Sequence, residues 1–219
     1  MPKTAAFEAH ADAYDGWFED HRPAYEAELQ AIGQLMPTVA VEAMEVGVGS
    51  GKFALPLGIR VGVEPSQKMA ARARSQGIDV HAGVAEALPF ADECFDLVLM
   101  VTTVCFVDDV STSFTECARV LRPGGSLIVG FVDEASDLGQ RYLQKQGESR
   151  FYGEATFFTT GEIAAYLLEA GFRIAQTRQA LIPDEPPQLI LEGSGRGGFI
   201  AIKAIKPEPG NDASVGSRA

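Results

Sequence analysis

The chain has 219 residues and carries 30 acidic against 18 basic side chains, a net charge of −12 at pH 7. That length can bury the core of one α/β domain. The acidic balance argues against sequence-independent binding to nucleic acid, because basic surfaces supply most of that affinity. The longest apolar run, residues 97–107, is too short and too interrupted to span a bilayer. We therefore expect neither a nucleic-acid partner nor a membrane.

Cys94, Cys105 and Cys117 are odd in number and have no C-x-x-C spacing. We interpret them as reduced thiols of a cytoplasmic protein. The polar, acidic N-terminal segment agrees with this expectation, since it has no signal-peptide core. The three histidines lie too far apart in the sequence for a metal-ligand pattern, so no metal site is expected. The oligomeric state is left open.

The N-terminal residues 4–35 are predicted to be helical, with a bend near Arg22-Pro23, because the residue before a proline disfavours helical geometry. Apolar runs then alternate with helical patterns. Strands are predicted at residues 39–46, 59–63, 78–82, 95–101 and 126–131, and helices at 66–75, 110–121 and 160–170. Such alternation is typical of βαβ units and predicts a parallel sheet.

The C-terminal part has a different pattern. Two strand candidates, residues 172–181 and 198–205, are joined by a Pro-rich and Gly-rich loop with no helix between them. This arrangement predicts an antiparallel pair at the end of the sheet. Residues 207–219 are polar and contain Gly, Ser and Pro, a composition typical of a disordered tail.

An insertion at residues 133–158 follows the fifth predicted strand and contains Tyr142, Phe151 and Tyr152. Ligands of open α/β sheets bind beyond the carboxyl ends of the strands, where such an insertion would also lie. We interpret the segment as a cap over a substrate. The alternative is a solvated helical excursion whose aromatic side chains only pack on the sheet.

A glycine-rich turn between two carboxylates is the strongest functional signal. The motif E-x-G-x-G-x-G, residues 45–51, ends one apolar strand, and Glu64 ends the next. Glycine lets backbone N–H groups approach a ligand closely, and a carboxylate at the second strand end is placed to bind a ribose diol. Lys52 stands where a dinucleotide fingerprint needs its third glycine, and Val46 and Phe53 break a Walker loop. The pattern predicts a nucleoside-containing cofactor.

Four segments in the same order resemble class I S-adenosyl-L-methionine (SAM) methyltransferases of the methyltransferase domain 11 type, the branch that includes small-molecule and quinone-ring methylases. They are the glycine motif at 45–51, GVAEALPF at 83–90, FDLVLMV at 95–101 and RVLRPGGSLIV at 119–129. The resemblance extends over roughly residues 7–203. It implies SAM as the methyl donor and S-adenosyl-L-homocysteine (SAH) as the product.

The resemblance also implies a Rossmann-like, seven-stranded, mostly parallel sheet with helices on both faces and an antiparallel last strand. In this scheme residues 1–36 form an N-terminal helical lid, and residues 37–206 form the SAM-binding domain, with the cap insertion after its fifth strand. Methyl transfer is an in-line displacement for which the cofactor carries the activation. The chain therefore needs mainly to hold the acceptor and to exclude water.

The resemblance assigns roles to individual residues by their positions in these motifs. The resemblance assigns Glu45 to the cofactor's amino group and Glu64 to the ribose diol. It assigns three glycines to close approach of the methionine tail and ribose, namely Gly47, Gly49 and Gly51. The further cofactor-binding residues that it implies are Pro65, Ala85, Glu86 and Thr102. Val84 is a departure, because the family usually has an Asp there that accepts from the adenine amino group, and Glu86 is the candidate to replace it.

The acceptor side is predicted from the segment after the fourth strand and from the N-terminal helix. Thr103 and Cys105 follow that strand, where acceptor and methyl group meet in the family; they line the pocket or cap the strand. The [DNS]-P-P-[YFW] motif of methylases that act on bases or glutamine is absent there, which disfavours those acceptors. The N-terminal helix has an aromatic face. The predicted pocket residues are Tyr14, Trp17, Phe18, Thr103, Cys105 and Tyr152.

Tyr14 is the favoured lid residue and a catalytic candidate, with His10 and Asp15 as candidate proton acceptors. The alternative is an ordinary aromatic stripe that faces the core. The aromatic residues and the acidic chain would suit a small amine or a planar phenol. The identity of the acceptor and the methylated atom, whether N, O or C, stay open.

Two other functions compete with this interpretation. A short-chain NAD(P)-dependent oxidoreductase would need a Tyr-x-x-x-Lys pair, and Tyr142 and Lys145 are one residue too close. A non-catalytic SAM-fold scaffold or ligand sensor would agree with Val84. The intact Glu45, the three glycines and Glu64 argue against it, because a decayed site should lose those residues first.

Overall fold

One sheet organises the structure, a computed structural model that describes residues 3–39 and 41–209. Its strands are β1 (Ala43–Val46), β2 (Val61–Val63), β3 (Asp79–His81), β4 (Phe95–Val101), β5 (Leu121–Val132), β6 (Arg173–Ala180), β7 (Leu191–Glu192) and β8 (Phe199–Ile205). They lie in the spatial order β3-β2-β1-β4-β5-β8-β6-β7. Because the order reverses between β1 and β4, loops from both halves of the sheet meet at the carboxyl ends of these strands.

The helices are α1 (Ala5–Asp20), α2 (Arg22–Gly33), α3 (Gln67–Ser75), α4 (Val110–Val120), α5 (Asp137–Gln144) and α6 (Thr160–Glu169), with two 3-10 turns at Gln146–Glu148 and Tyr152–Glu154. Side-chain caps fix the start of several helices. Ser66 accepts from the Met69 N–H at α3, and Thr159 and Glu162 form a capping box at α6. None of the helices in the described ranges is long and apolar enough to cross a bilayer.

The pairing of the strands confirms the predicted architecture. Strands β1 to β5 pair in parallel, and β8 runs antiparallel between β5 and β6. The predicted count of seven strands is wrong, because β7 adds an eighth at the sheet edge by pairing Leu191 and Glu192 with β6. Two residues are too few to show the alternation that identifies a strand, so the sequence predicts a loop there.

Helices cover both faces of the sheet, as predicted. In β4, Val98 and Met100 pack toward α4 and α6, whereas Leu97, Leu99 and Val101 pack toward α1, α2 and α3. This continuous apolar run is typical of a parallel strand that is buried on both sides. Close packing on both faces fixes the carboxyl ends of the strands, and with them the loops that follow.

The N-terminal helices meet at His21, next to the predicted bend, and α1 has a further kink at His10. The bounds assigned to the lid, the SAM-binding domain and the cap stay predictions. Of the predicted disordered tail, residues 210–219 lie outside the described ranges.

Candidate functional site

A cavity of about 410 Å³ lies at the carboxyl ends of the parallel strands. The loops after β1, β2, β3 and β4 all reach it. The predicted residues that line it from these loops are Gly47, Gly49, Glu64, Pro65, Ala85, Glu86, Thr102 and Thr103. Helix α1 adds Tyr14, Trp17 and Phe18, and the 133–158 segment adds Tyr152. The fold thus gathers most of the predicted residues around one cavity, whose volume is typical of small-molecule sites.

The turn after β1 needs glycine for two reasons. Its backbone is left-handed at Gly47 (φ +69°) and Gly49 (φ +55°), a conformation that other residues rarely adopt. A Cβ at position 47 would lie 2.4 Å from the Oγ1 of Thr103, and one at position 49 would lie 3.4 Å from the Tyr14 hydroxyl. Gly51 does not line the cavity; a Cβ there would meet core side chains. Two of the three predicted glycines therefore face the ligand space.

Glu64 joins the loop after β1 to the loop after β2. Its Oε2 accepts from the Gly49 N–H and its Oε1 accepts from the Ser66 N–H, both at 2.8 Å. The residue is 8% exposed, and burial raises its pKa to about 6 despite these two hydrogen bonds. Each carboxylate oxygen has further lone-pair capacity. Glu64 can therefore accept two ligand hydroxyl groups while it holds both loops.

Glu45 lies beneath the same turn and does not line the cavity. It is 2% exposed, and its Oε2 has no hydrogen-bond partner among the described residues. Burial raises its pKa well above the ordinary value, the Ala54 N–H opposes that shift, and nearby Glu64 adds to it. A buried oxygen without a partner is costly, and an ammonium group of a ligand or a water molecule would satisfy it.

The loop after β3 forms the wall where the resemblance predicts adenine recognition. Val84 presents an apolar side chain to the cavity, next to buried Ala85. Glu86 accepts hydrogen bonds from the N–H groups of Asp108 (2.6 Å) and Asp109 (3.2 Å). Its carboxylate therefore fixes the loop after β4. An adenine ring at this wall would meet backbone and apolar atoms beside a carboxylate that already has partners.

Of the predicted residues in the segment after β4, two line the cavity and one does not. Thr102 and Thr103 line the cavity, and Thr102 has a left-handed backbone (φ +49°), a strained conformation that is frequent at functional sites. Cys105 lies outside the cavity wall, because its thiol donates to the Thr102 carbonyl at 3.3 Å and it packs against Ala155 and Phe157. Cys105 therefore lies behind the cavity wall, where it hydrogen-bonds to Thr102 and packs near Tyr152.

A cluster of aromatic rings, here called the roof, lines part of the cavity. Phe151, from the 133–158 segment, lies 5.5 Å from Phe7 and 5.9 Å from Tyr14 between ring centroids. Phe106, from the loop after β4, lies 5.1 Å from Phe7 and 5.8 Å from Tyr152. Edge and stacked contacts of this kind stabilise one another. They connect α1 to both segments above the strands.

Polar contacts attach α1 to the glycine turn and to α3. Arg72 of α3 pairs with Asp12 and Asp15, and the Ser50 hydroxyl donates to Asp15. Asp15 is therefore engaged away from the cavity, and His10 is exposed at the kink. Of the three catalytic candidates, Tyr14 is the one that lines the cavity in the described structure.

Glu28 of α2 is a cavity residue that the sequence analysis missed. It is 5% exposed, lines the cavity, and has a pKa raised by burial to about 8. Its position gives a signal in hindsight, because residues 27, 28, 31 and 32 form the buried face of α2 and Glu28 is its charged member. Five aromatic residues that line the cavity were also outside the predicted pocket, namely Phe7, Phe53, Phe106, Tyr142 and Phe151.

Known proteins share the motifs and the fold. A family model described as a methyltransferase domain matches residues 44–129. An uncharacterised protein of Methanocaldococcus jannaschii is 37% identical over 203 residues, which covers 91% of this chain and 98% of the relative. A malonyl-[acyl-carrier protein] O-methyltransferase of Methylococcus capsulatus is 32% identical over 145 residues, 60% of this chain and 51% of that enzyme.

A solved structure extends the similarity to nearly the whole chain. It is a Thermotoga maritima protein described as a SAM-dependent methyltransferase, possible histamine N-methyltransferase. The two structures superpose with a TM-score of 0.88 at 44% sequence identity, over 93% of this chain and 99% of the other.

Gly47→Ala should cost more stability than Gly58→Ala, although both positions have a left-handed backbone. At Gly58 a Cβ would enter open space, so only the backbone cost of roughly 1 to 2 kcal/mol applies. At Gly47 the clash with Thr103 should add roughly 1 to 3 kcal/mol. Denaturant unfolding measures both costs. In a Thr103→Ala background the excess should shrink, and equal costs for the two single variants would contradict the predicted clash.

Proposed function

The chain belongs to the family of SAM-dependent methyltransferases, and we propose that it transfers a methyl group from SAM to a small-molecule acceptor. The observation that carries the proposal is Glu64, a cavity carboxylate held by the N–H groups of Gly49 and Ser66. A ribose diol would complete its hydrogen bonds without disturbing the two loops. The nucleoside-binding part of the site is therefore preorganised.

The residues at the cavity fit SAM in two further respects. The turn around Gly47 and Gly49 presents backbone without side chains, so a methionine tail and ribose can approach closely. The unpartnered oxygen of Glu45 lies beneath the turn, where it would accept from the cofactor's amino group directly or through water. When bound, SAM supplies a methyl group that is already activated as a sulfonium.

The chain's own contribution is to hold the acceptor and exclude water. The roof of Phe7, Phe106 and Phe151 encloses the cavity, and enclosure limits hydrolysis and orients a bound acceptor. Tyr14 adjoins both the glycine turn and the roof. Burial raises its pKa, as do the neighbouring carboxylates. It therefore acts as a neutral hydrogen-bonding lid group.

Cavity size and charge favour a small acceptor over a nucleic acid or a membrane lipid. The enclosed volume of about 410 Å³ suits a small molecule, and the net charge of −12 opposes polyanions. The name of the Thermotoga relative adds histamine to the acceptors worth testing. A cytoplasmic setting is part of the proposal, because the cysteines are free thiols.

Calorimetric titration with SAH and with SAM tests the proposal. We expect micromolar binding by the wild-type protein and at least about a 30-fold loss in Glu64→Ala, because one buried carboxylate partner of the ribose is removed. Glu169→Ala removes an exposed acid on α6 and should bind like the wild type. No binding by the folded wild-type protein would contradict the proposal and leave a non-catalytic scaffold or sensor.

SAH affinity should fall as the pH drops through the pKa of Glu64. That pKa is about 6, so binding that needs the carboxylate should be roughly tenfold weaker at pH 5 than at pH 7. The ligand's amino and carboxyl groups titrate outside this window. Burial raises the pKa of Glu28 to about 8, above this pH window, so its titration contributes little to the change. Titrations at several pH values check this, and Glu64→Gln should give a flat profile.

A further inference from the structure

The cavity contains a second carboxylate that the cofactor interactions do not use. Glu28 projects from α2 into the cavity together with Trp17 and Phe18 of α1. It is 5% exposed, and its oxygens accept no hydrogen bond from a described residue. Buried carboxylates are normally hydrogen-bonded or paired with a cation. Glu28 therefore has unused hydrogen-bonding capacity that is directed into the ligand space.

No basic side chain of the described protein pairs with Glu28. The basic side chain that lines the cavity in the described ranges is Lys3. Its positive charge lowers the pKa of Asp108 and opposes the rise in the pKa of Cys105, both in the loop after β4. Burial is the one cause that raises the pKa of Glu28. A cationic ligand is therefore the group that would offset the burial of this carboxylate.

Aromatic rings line the same cavity as Glu28. They come from α1 (Tyr14, Trp17 and Phe18) and from the 133–158 segment (Tyr142 and Tyr152). Aromatic faces attract an ammonium group through their electron-rich centres. A phenolate would instead meet a carboxylate and the phenolic oxygens, so the arrangement favours an amine over a phenol.

We propose that Glu28 binds the amino group of the methyl acceptor, which is therefore a small primary or secondary amine enclosed by aromatic side chains. The inference rests on the proposed methyltransferase function. It adds a substrate class and a residue that contacts the substrate. Tyr14 adjoins the glycine turn and lines the same cavity as Glu28, so the amine and the cofactor would share this cavity.

Glu28 also provides a destination for the proton that an ammonium must lose before it can be methylated. The free protein holds Glu28 protonated at neutral pH, because its pKa is about 8, and binding of an ammonium displaces that proton to solvent. The ammonium N–H proton then passes to the Glu28 carboxylate, and the nitrogen keeps the electron pair. That pair forms the new N–CH3 bond as the S–CH3 bond breaks, and the electrons of the broken bond remain on sulfur. The products are a methylated ammonium ion and neutral SAH, and Glu28 is again protonated, as in the free protein.

The test measures amine binding to the SAH complex separately from SAH binding. The probes are histamine, 2-phenylethylamine and 2-phenylethanol, the last being the uncharged counterpart of the second. The proteins are wild type, Glu28→Gln and Glu26→Gln, a control at an exposed position of the same helix. Calorimetry gives both affinities, and transfer of labelled methyl from SAM gives kcat/KM.

We expect the wild-type SAH complex to bind at least one of the amines and to bind 2-phenylethanol much more weakly. Glu28→Gln should bind SAH like the wild type and lose roughly 30- to 100-fold in affinity and kcat/KM for the amine. Glu26→Gln should match the wild type. If SAH binds normally, any of three results would overturn the assignment of Glu28. These are no binding of either amine, equal binding of the amine and the alcohol, and a Glu28→Gln variant with unchanged amine affinity. Absent SAH binding by wild type would overturn the proposed function itself.

Discussion

The carboxylate of Glu64 accepts a hydrogen bond from each of two loops, from Gly49 after β1 and from Ser66 after β2. This contact requires the left-handed backbone of the glycine turn, because only that conformation brings the Gly49 N–H toward β2. Ser66 also caps α3, and α3 holds α1 through Arg72. One buried carboxylate therefore connects the turn, the neighbouring helix and the lid helix above the cavity. Its remaining hydrogen-bonding capacity faces the ligand.

Buried acids without a basic partner are the second constraint on this site. Glu28, Glu45 and Glu64 are all buried in or beneath one cavity, and burial raises the pKa of each. Among the described residues, no basic side chain pairs with any of the three. A sulfonium cofactor with a charged amino group, followed by a cationic acceptor, would favour the ionised form of these acids. The free protein carries the cost of these acids, and ligand binding would reduce it. This relation between charge and ligand also explains why aromatic rings, which tolerate cations, form the roof.

Much of this arrangement could be predicted from the sequence, because the glycine motif and Glu64 each lie at the end of an apolar strand pattern, and the two strands follow one another in the chain. The parallel order and the reversed last strand also follow from local patterns. Strand β7 could not be predicted, since a two-residue strand depends on its neighbour and has no pattern of its own. Cys105 and Asp15 were predicted near the ligand from their position along the chain. In the structure, however, the Cys105 thiol donates to the Thr102 carbonyl and Asp15 accepts from the Ser50 hydroxyl. Glu28 was missed because its helix lies outside the family motifs, and long-range packing alone brings it into the cavity.

The most direct measurement is a crystal structure of the protein with SAH and 2-phenylethylamine. We expect both ribose hydroxyls within hydrogen-bond distance of the Glu64 oxygens, with the Gly49 and Ser66 contacts retained. We also expect the amine nitrogen on Glu28 under the aromatic roof. A nucleoside that contacts neither oxygen of Glu64, or that displaces the glycine turn from Glu64, would contradict the central claim that this carboxylate organises the site.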